Sequence, residues 1–511
     1  MTIADHPWAS ALGEGVAHHH EKVGRQEIQG TSRASPRNTK FAYVATCCAG
    51  QIHQYGTINN LPDNVLLEIF DLYRVVIMKS CNHSWTWYTL VHICQKWRRT
   101  ILASPKRLDL RLLCTNGTPV RKALDYWPQT LPIIIDYRRV ESIHPTPEAE
   151  DNIVAALGQA DRVSKINVVL TSSLWRKLLA AMQGTFSSLT YLRLESLDSD
   201  VTALVSPRDL LGASAPMLRE VRLDGLPFTA LSRLVLSTDN LVSLRLWRIS
   251  NSGYISPEAV VVCLSSLAKL ELLDIRFNIP IPHPNRPPTA STRAVLPALT
   301  QFNFQGVSEY LEDLVARIDV PQLEHAGITF FNQLIFDLPQ FSLFARRTNV
   351  LRVSTRAKIY PGSDGVLFSL YSPGATGPYE SLSLRILSKE LDWQVPAITE
   401  ICNQLSLLSG VGHLDIRVDC LKSGWQDDME PTEWVELLRP FSAVQMLQVS
   451  GEAQVVPHFA LALEGVARGM VMSVLPSLHI LRFMGSQRPA SVKQFIAARR
   501  LSGHPVEVHY G

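Results

Sequence analysis

Apolar residues recur at helical spacing in two short stretches near the N-terminus. Leu61, Val65, Leu66, Ile69 and Phe70 share one helical face, with Asp63 and Glu68 turned away. Pro62 suits the first turn of that helix, where its missing N–H would have no partner anyway. Leu90, Cys94, Trp97 and Ile101 form a second stripe, flanked by Arg98 and Arg99 and limited by Pro105. An aromatic patch, Trp85, Trp87 and Tyr88, lies between them. Residues 57–108 therefore read as a compact helical unit, at about 50 residues too small to complete a core without a neighbour. Residues 1–56 read as a poorly ordered leader, with His18, His19 and His20 in succession. Residues 109–165 read as a connecting region, with a strand over Leu131–Tyr137 and a helix from about Glu148.

From residue 166 to the end the chain repeats. The pattern apolar-x-x-apolar-x-apolar fits Leu189, Leu192, Leu194, then Leu218, Val221, Leu223, then Leu241, Leu244, Leu246. It continues at Leu270, Leu273, Ile275, at Leu299, Phe302, Phe304, and at Leu323, Ala326, Ile328. Weaker matches follow at Leu351 and Val353, Leu382 and Leu384, and Leu414 and Ile416. The last are Val444, Leu447, Val449 and Leu478, Leu481, Phe483. A mean spacing of about 29 residues lies at the upper edge of the leucine-rich-repeat range. Pro216, Pro297, Pro321 and Pro476 each stand two residues before a first apolar position. Proline ends a helix and biases its neighbour to extended backbone, so the chain is expected to switch from helix to strand there. The predicted fold class is α/β: a curved parallel sheet with helical or irregular returns, each unit closing on the next as a solenoid. Two loops, IPIPHPNRPP and YPGSDGVLFSLYSPGATGPY, are expected to interrupt it.

The two helical stripes resemble an F-box. The likeness is carried by Leu61-Pro62, Val65, Leu66, Ile69 and Phe70, and by Val91, Cys94, Trp97 and Arg98 in the order V-x-x-C-x-x-W-R. The long aromatic stretch between Phe70 and Leu90, and Asn64 where many members carry Glu, depart from the family pattern. The layout is also similar in style to F-box proteins with degenerate leucine-rich repeats from mushroom-forming fungi. The resemblance implies a three-helix domain docking on the Skp adaptor of a Skp–cullin–F-box ubiquitin ligase, with the repeats holding a protein substrate. The implied contacts are Leu61, Pro62, Val65, Leu66, Ile69, Phe70, Leu90, Val91, Cys94 and Trp97. Exposed Leu61, Pro62, Leu66, Ile69 and Trp97 would serve as anchors for a groove. For Cys94 and Trp97, packing inside the unit or onto the repeat domain is the competing reading, and for Trp97 the internal role is the favoured one. A repeat scaffold without ligase association is the alternative function.

Composition narrows the field. The 511 residues carry a net charge of +3, with 19% charged and 46% apolar residues. That is poor in charge beside the roughly 25% usual for soluble proteins, and far from the strongly basic profile of a polyanion binder. Neither nucleic acid nor a membrane is expected as a partner, and a cytoplasmic or nuclear setting is. The 8 cysteines lack the spacing of a disulfide scaffold. No GxSxG, P-loop or GxGxxG is present, so no catalytic residue, metal or cofactor is expected. Cys81, His83, His92 and Cys94 come nearest to a zinc set, without CxxC spacing.

The repeat strands supply a different kind of site. Residues flanking the last apolar position point to the outer, concave face. They include eight arginines against four acids. Arg193, Arg222 and Arg245 are expected to stack as a ladder on successive strands, with Glu195 and Asp224 beside them and Trp247 and Arg276 close by. Two readings stay open: a mutually paired surface lattice, or a basic substrate-binding patch anchored by Trp247.

Overall fold

The computed structural model describes residues 61–80, 90–91, 93–115, 118–137, 147–197, 211, 214–226, 234–235, 238–281, 293–333, 335–373, 380–388, 391–418, 431–451, 459–460, 462–463, 474–484 and 492–511. The expected leader, the aromatic patch at 85–88 and the Cys81, His83 and His92 set lie outside them. The chain is a mixed α/β protein dividing into two compact units, residues 1–166 and 167–511. Among the described residues, no helix is long and apolar enough to cross a membrane.

In the smaller unit, α1 (Asp63–Ser80) packs on α2 (Gln95–Ala103). Leu66, Leu67, Phe70, Leu90, Val91, Trp97 and Ile101 form one buried cluster with Leu108 and Leu110. Phe70 meets Trp97 edge to face at 4.9 Å. Polar clamps hold the pair in place. Lys96 donates to the Leu61 carbonyl at 2.7 Å, Thr100 to Asp63 at 3.2 Å, and Arg98 to the Val91 carbonyl at 3.0 Å. Cys94 is not part of a helical stripe. It is the N-cap of α2, in extended backbone, and its sulfur accepts the Trp97 N–H. Helix α3 (Val120–Tyr126) and helix α4 (Pro147–Leu157) follow, with β1 (Leu112–Cys114) parallel to β2 (Ile133–Tyr137). Strand β3 (Val163–Leu170) spans the boundary between the units.

The larger unit is built on a mostly parallel sheet. Its strands are β4 (Tyr191–Ser196), β5 (Glu220–Asp224), β6 (Ser243–Ile249), β7 (Leu272–Phe277), β9 (Gln301–Gly306), β11 (His325–Phe331), β12 (Arg356–Gly362), β13 (Gly365–Tyr371), β14 (Leu382–Leu387), β15 (His413–Val418), β16 (Met446–Gly451), β17 (Ile480–Met484) and β18 (Glu507–Tyr510). They lie in the order β4-β5-β6-β7-β9-β11-β14-β13-β12-β15-β16-β17-β18. A separate parallel pair joins β8 (Ala294–Val295) to β10 (Ile318–Asp319).

The repeat phase read from the sequence coincides with the register. Leu192, Val221, Leu244, Leu273, Phe302, Ala326 and Leu382 face one another on successive strands. Leu414, Leu447 and Leu481 do the same further on. Alternate residues are buried, as in the half-exposed and buried alternation of β4 and β11. The returns cover the buried face. Helix α5 (Ser308–Ala316) packs on β9 and on α6 (Pro339–Arg347), and Tyr310 lies 4.7 Å from Phe277.

A recurring turn feeds many of these strands. The first apolar residue donates its N–H to the carbonyl three residues back: Leu218 to Ala215, Leu299 to Leu296, Leu323 to Val320 and Leu478 to Leu475. The four phased prolines sit second in these turns, where their fixed φ is already correct. Before Pro297 and Pro321 the chain is in the short strands β8 and β10, so there the prolines start a turn rather than end a helix, which corrects the sequence expectation. Leu189, Leu270 and Val444 close the same turn without proline.

Two expectations fail between residues 349 and 371. Leu351 and Val353 are not strand positions; Leu351 lies in a short helix, Asn349–Arg352, and Val353 follows it. The segment read as an interrupting loop forms a hairpin, in which β13 runs antiparallel to both β12 and β14. Gly365, at φ 148, closes its tip against the Ile386 carbonyl, a place where any Cβ would collide with that oxygen. The fully buried Gln394 side chain donates to the carbonyls of Gly362 and Ser388, fixing the hairpin tip beside the end of β14.

Glu312 on α5 gives the fold a pH dependence. Its carboxylate accepts the N–H groups of Gln340 and Phe341, both at 2.7 Å, at the opening of α6. Burial pushes its pKa up to about 7, against the pull of those two N–H groups and with a further push from Asp337. The folded state thus holds a proton that the unfolded chain releases near 4.5. This contribution to stability is full below that value and is lost as pH rises through about 7. Thermal unfolding of the full chain should show a midpoint that falls over this range, and Glu312→Gln should make the slope shallower.

Candidate functional site

The sequence-derived residues fall in two places, one in each unit. In the smaller unit the ten expected contacts separate into two groups. Leu66, Phe70, Leu90, Val91 and Trp97 are buried in the core, so the expected exposure of Leu66 is corrected, and Trp97 lies inside the unit, the role favoured for it over partner contact. The apolar stripe on α1 is wider than one partner-facing surface: its inner edge closes the helix pair. Leu61 and Cys94 are half-buried against the same core. Pro62, Val65 and Ile69 face solvent, Val65 at 38% and Ile69 at 37% exposure. Leu72, Tyr73 and Ile93 are exposed as well and were not singled out by the sequence pattern. Offsets of 3, 4 and 3 from Pro62 put Val65, Ile69 and Leu72 on one helical face.

In the larger unit the arginine ladder is present. Arg193 faces Arg222, and Arg222 faces Arg245, on β4, β5 and β6. Carboxylates relieve its repulsion. Arg193 pairs with Glu195 at 2.8 Å and Arg222 with Asp224 at 3.5 Å. Arg276 pairs with Asp274 through two hydrogen bonds, at 2.8 and 3.0 Å. Burial, and next the neighbouring Arg193, pull the Arg222 guanidinium below the ordinary arginine range, while Asp224 and Glu195 oppose them. Among the described residues Arg245 has no ion-pair partner.

Trp247 is not an open aromatic anchor. The Arg222 guanidinium carbon lies 3.7 Å from its ring centroid and that of Arg276 lies 4.6 Å away, one from each neighbouring strand. The ring is occupied by cation–π contacts within the protein. Its indole N–H is buried and makes no hydrogen bond among the described residues.

Sequence reasoning missed Arg248. The register of β6 slips between Leu246 and Ile249, and Arg248 sits in the slip at φ 50. The bulge swings its side chain back over β5. There it pairs with Asp224, reaches Glu195 at 3.8 Å and donates to the Ser196 carbonyl at 2.8 Å. No glycine or proline marks Trp247-Arg248-Ile249 as a bulge, so the sequence carried no signal for it. Arg352, one of the eight arginines counted on the strand flanks, lies in a helix rather than on a strand.

The chain matches no protein-family model and no curated protein sequence. The site is therefore described by its own geometry: a half-buried lattice of arginines and carboxylates around one tryptophan. Asp224, at 6% exposure, holds it together by taking both Arg222 and Arg248. Asp224→Ala should destabilise the protein by about 0.5–3 kcal/mol, because it leaves the partly buried Arg222 and Arg248 without their shared carboxylate. Arg245→Ala, without a pair to lose, should stay within about 0.5 kcal/mol. Denaturant unfolding of the full chain measures both.

Proposed function

We propose that the chain is a non-enzymatic recognition subunit of a Skp–cullin–F-box ubiquitin ligase. In this reading the α1–α2 unit docks on a Skp-family adaptor and through it on a cullin. The sheet of the larger unit holds a protein substrate, in the cytoplasm or nucleus. The repeats are degenerate leucine-rich repeats, and the reading needs no cofactor.

One observation carries it. The α1–α2 core is closed by Leu66, Phe70, Trp97 and Ile101, yet an apolar row of Pro62, Val65, Ile69 and Leu72 remains in solvent on α1. A helix that has already filled its own core and still shows such a row fits a hydrophobic groove on a partner. The docking contacts in this reading are Pro62, Val65, Ile69 and Leu72, with Leu61 at the edge.

Co-purification of the full chain with a Skp-family adaptor tests the reading. Ile69→Asp with Leu72→Asp should abolish capture while leaving the unfolding midpoint unchanged. Leu66→Ala should cost about 2–5 kcal/mol of stability instead, as a core truncation. No complex at micromolar concentration would sink the ligase reading and leave the free-standing scaffold.

A further inference from the structure

A cavity of about 510 Å³ opens on the outer face of the larger sheet, bordering the arginine lattice at Arg276. Its volume lies within the range of about 300–1,000 Å³ typical of small-molecule sites. Its floor is set by register. Arg276, Gln305, Thr329 and Arg385 form one rung across β7, β9, β11 and β14. Asp274, Asn303, Gly327 and Ser383 form the next. With strands about 4.8 Å apart, the floor runs about 14 Å from Arg276 to Arg385. Gly327 hollows the middle: a Cβ there would collide with the Asn303 side-chain oxygen. Leu367 and Tyr360 continue the first rung onto β13 and β12, and Asp364 lines the cavity from the hairpin tip.

The charges around this hollow are already matched. Arg276 is held by Asp274, and Arg385 by Asp364 at 2.6 Å. The groups left facing the space are neutral and can both donate and accept. Among the described residues, the side chains of Asn303, Thr329 and Ser383 have no hydrogen-bond partner in the protein. His325 places Nδ1 2.6 Å from the Glu380 carbonyl, which only accepts. Nδ1 therefore carries a proton, and Nε2 is left beside Gly327.

We infer that this cavity binds a neutral, hydroxyl-rich ligand of the saccharide class. An organic anion would meet guanidinium groups whose charge Asp274 and Asp364 already balance. An apolar ligand would strip water from Asn303, Thr329 and Ser383 and return nothing. Sugar hydroxyls donate and accept at once, which suits amide, hydroxyl and paired guanidinium groups. The C–H face of a sugar ring would rest on Tyr360 and Leu367. The inference stands apart from the adaptor reading, since it uses no residue of α1 or α2.

Isothermal titration and saturation-transfer NMR on the full chain test it, with N-acetylglucosamine, mannose and cellobiose as probes. Glucuronate and glucose 6-phosphate are the charged comparisons. At least one neutral probe should bind at millimolar concentration or below, and bind more tightly than the charged ones. Gly327→Ala, which fills the hollow, and Thr329→Val, which removes a hydroxyl at constant shape, should each weaken it at least tenfold with unchanged circular dichroism. A mannose-bearing glycoprotein, before and after deglycosylation, distinguishes a protein-linked sugar from a free one. No binding by any neutral probe, tighter binding of the charged ones, or binding unaffected by both substitutions would overturn the inference.

Discussion

In the larger unit, one backbone carbonyl of each repeat accepts two successive N–H groups from the next. Thr190 takes Arg219 and Glu220; Arg219 takes Val242 and Ser243; Val242 takes Glu271 and Leu272. The same pairing recurs at Glu271, Thr300, Thr355, Gly412 and Gln445. This contact, just after the turn and just before the strand, fixes the entry of each strand against its predecessor. A slip of one residue would turn Leu192, Val221 and Leu244 out of the core and Arg193, Arg222 and Arg245 into it. Burial of the apolar set, about 1.5–3 kcal/mol per large side chain, makes that slip prohibitive. Register thus determines which outward residues become neighbours, and both the arginine ladder and the cavity floor follow from it.

Much of this was legible in the sequence, because the repeat carries its phase in apolar spacing. Leu192, Leu223 and Phe304 were placed on the right rungs by counting alone. The phased prolines were visible too, but their work is in the turn itself. What stayed hidden depends on contacts distant in sequence. The hairpin at 356–371 breaks the repeat rule, and its strands are as apolar as the rest, so Leu351 and Val353 offered a false match. Arg248 lies in a bulge with no local marker. On α1, nothing in the local pattern tells Leu66 and Phe70 from Val65 and Ile69, since all sit on one broad stripe. Only packing against Trp97 and Ile101 divides the stripe into an inner and an outer edge.

The same geometry revises what the charge pattern means. A surplus of arginine on the strand flanks suggested a surface in want of an anion. The carboxylates of Glu195, Asp224 and Asp274 absorb it, and the bulged Arg248 draws Asp224 further into the lattice. The near-neutral whole is reproduced locally: the outer face is rich in ion pairs and poor in free charge. Such a face favours partners that offer hydrogen bonds over partners that offer net charge. Among the described residues, the apolar row on α1 and the polar hollow over Gly327 are the surfaces that the two proposals use.

The central claim is the register, and engineered cysteine pairs test it most directly. Tyr191 and Glu220 face each other on β4 and β5, whereas Arg193 stands two residues further along β4. In the full chain, with single-cysteine variants as the background, a short thiol-to-thiol reagent should link Tyr191→Cys to Glu220→Cys much faster than Arg193→Cys to Glu220→Cys. Equal rates, or faster linking of the second pair, would contradict the register and with it the placement of every outward residue.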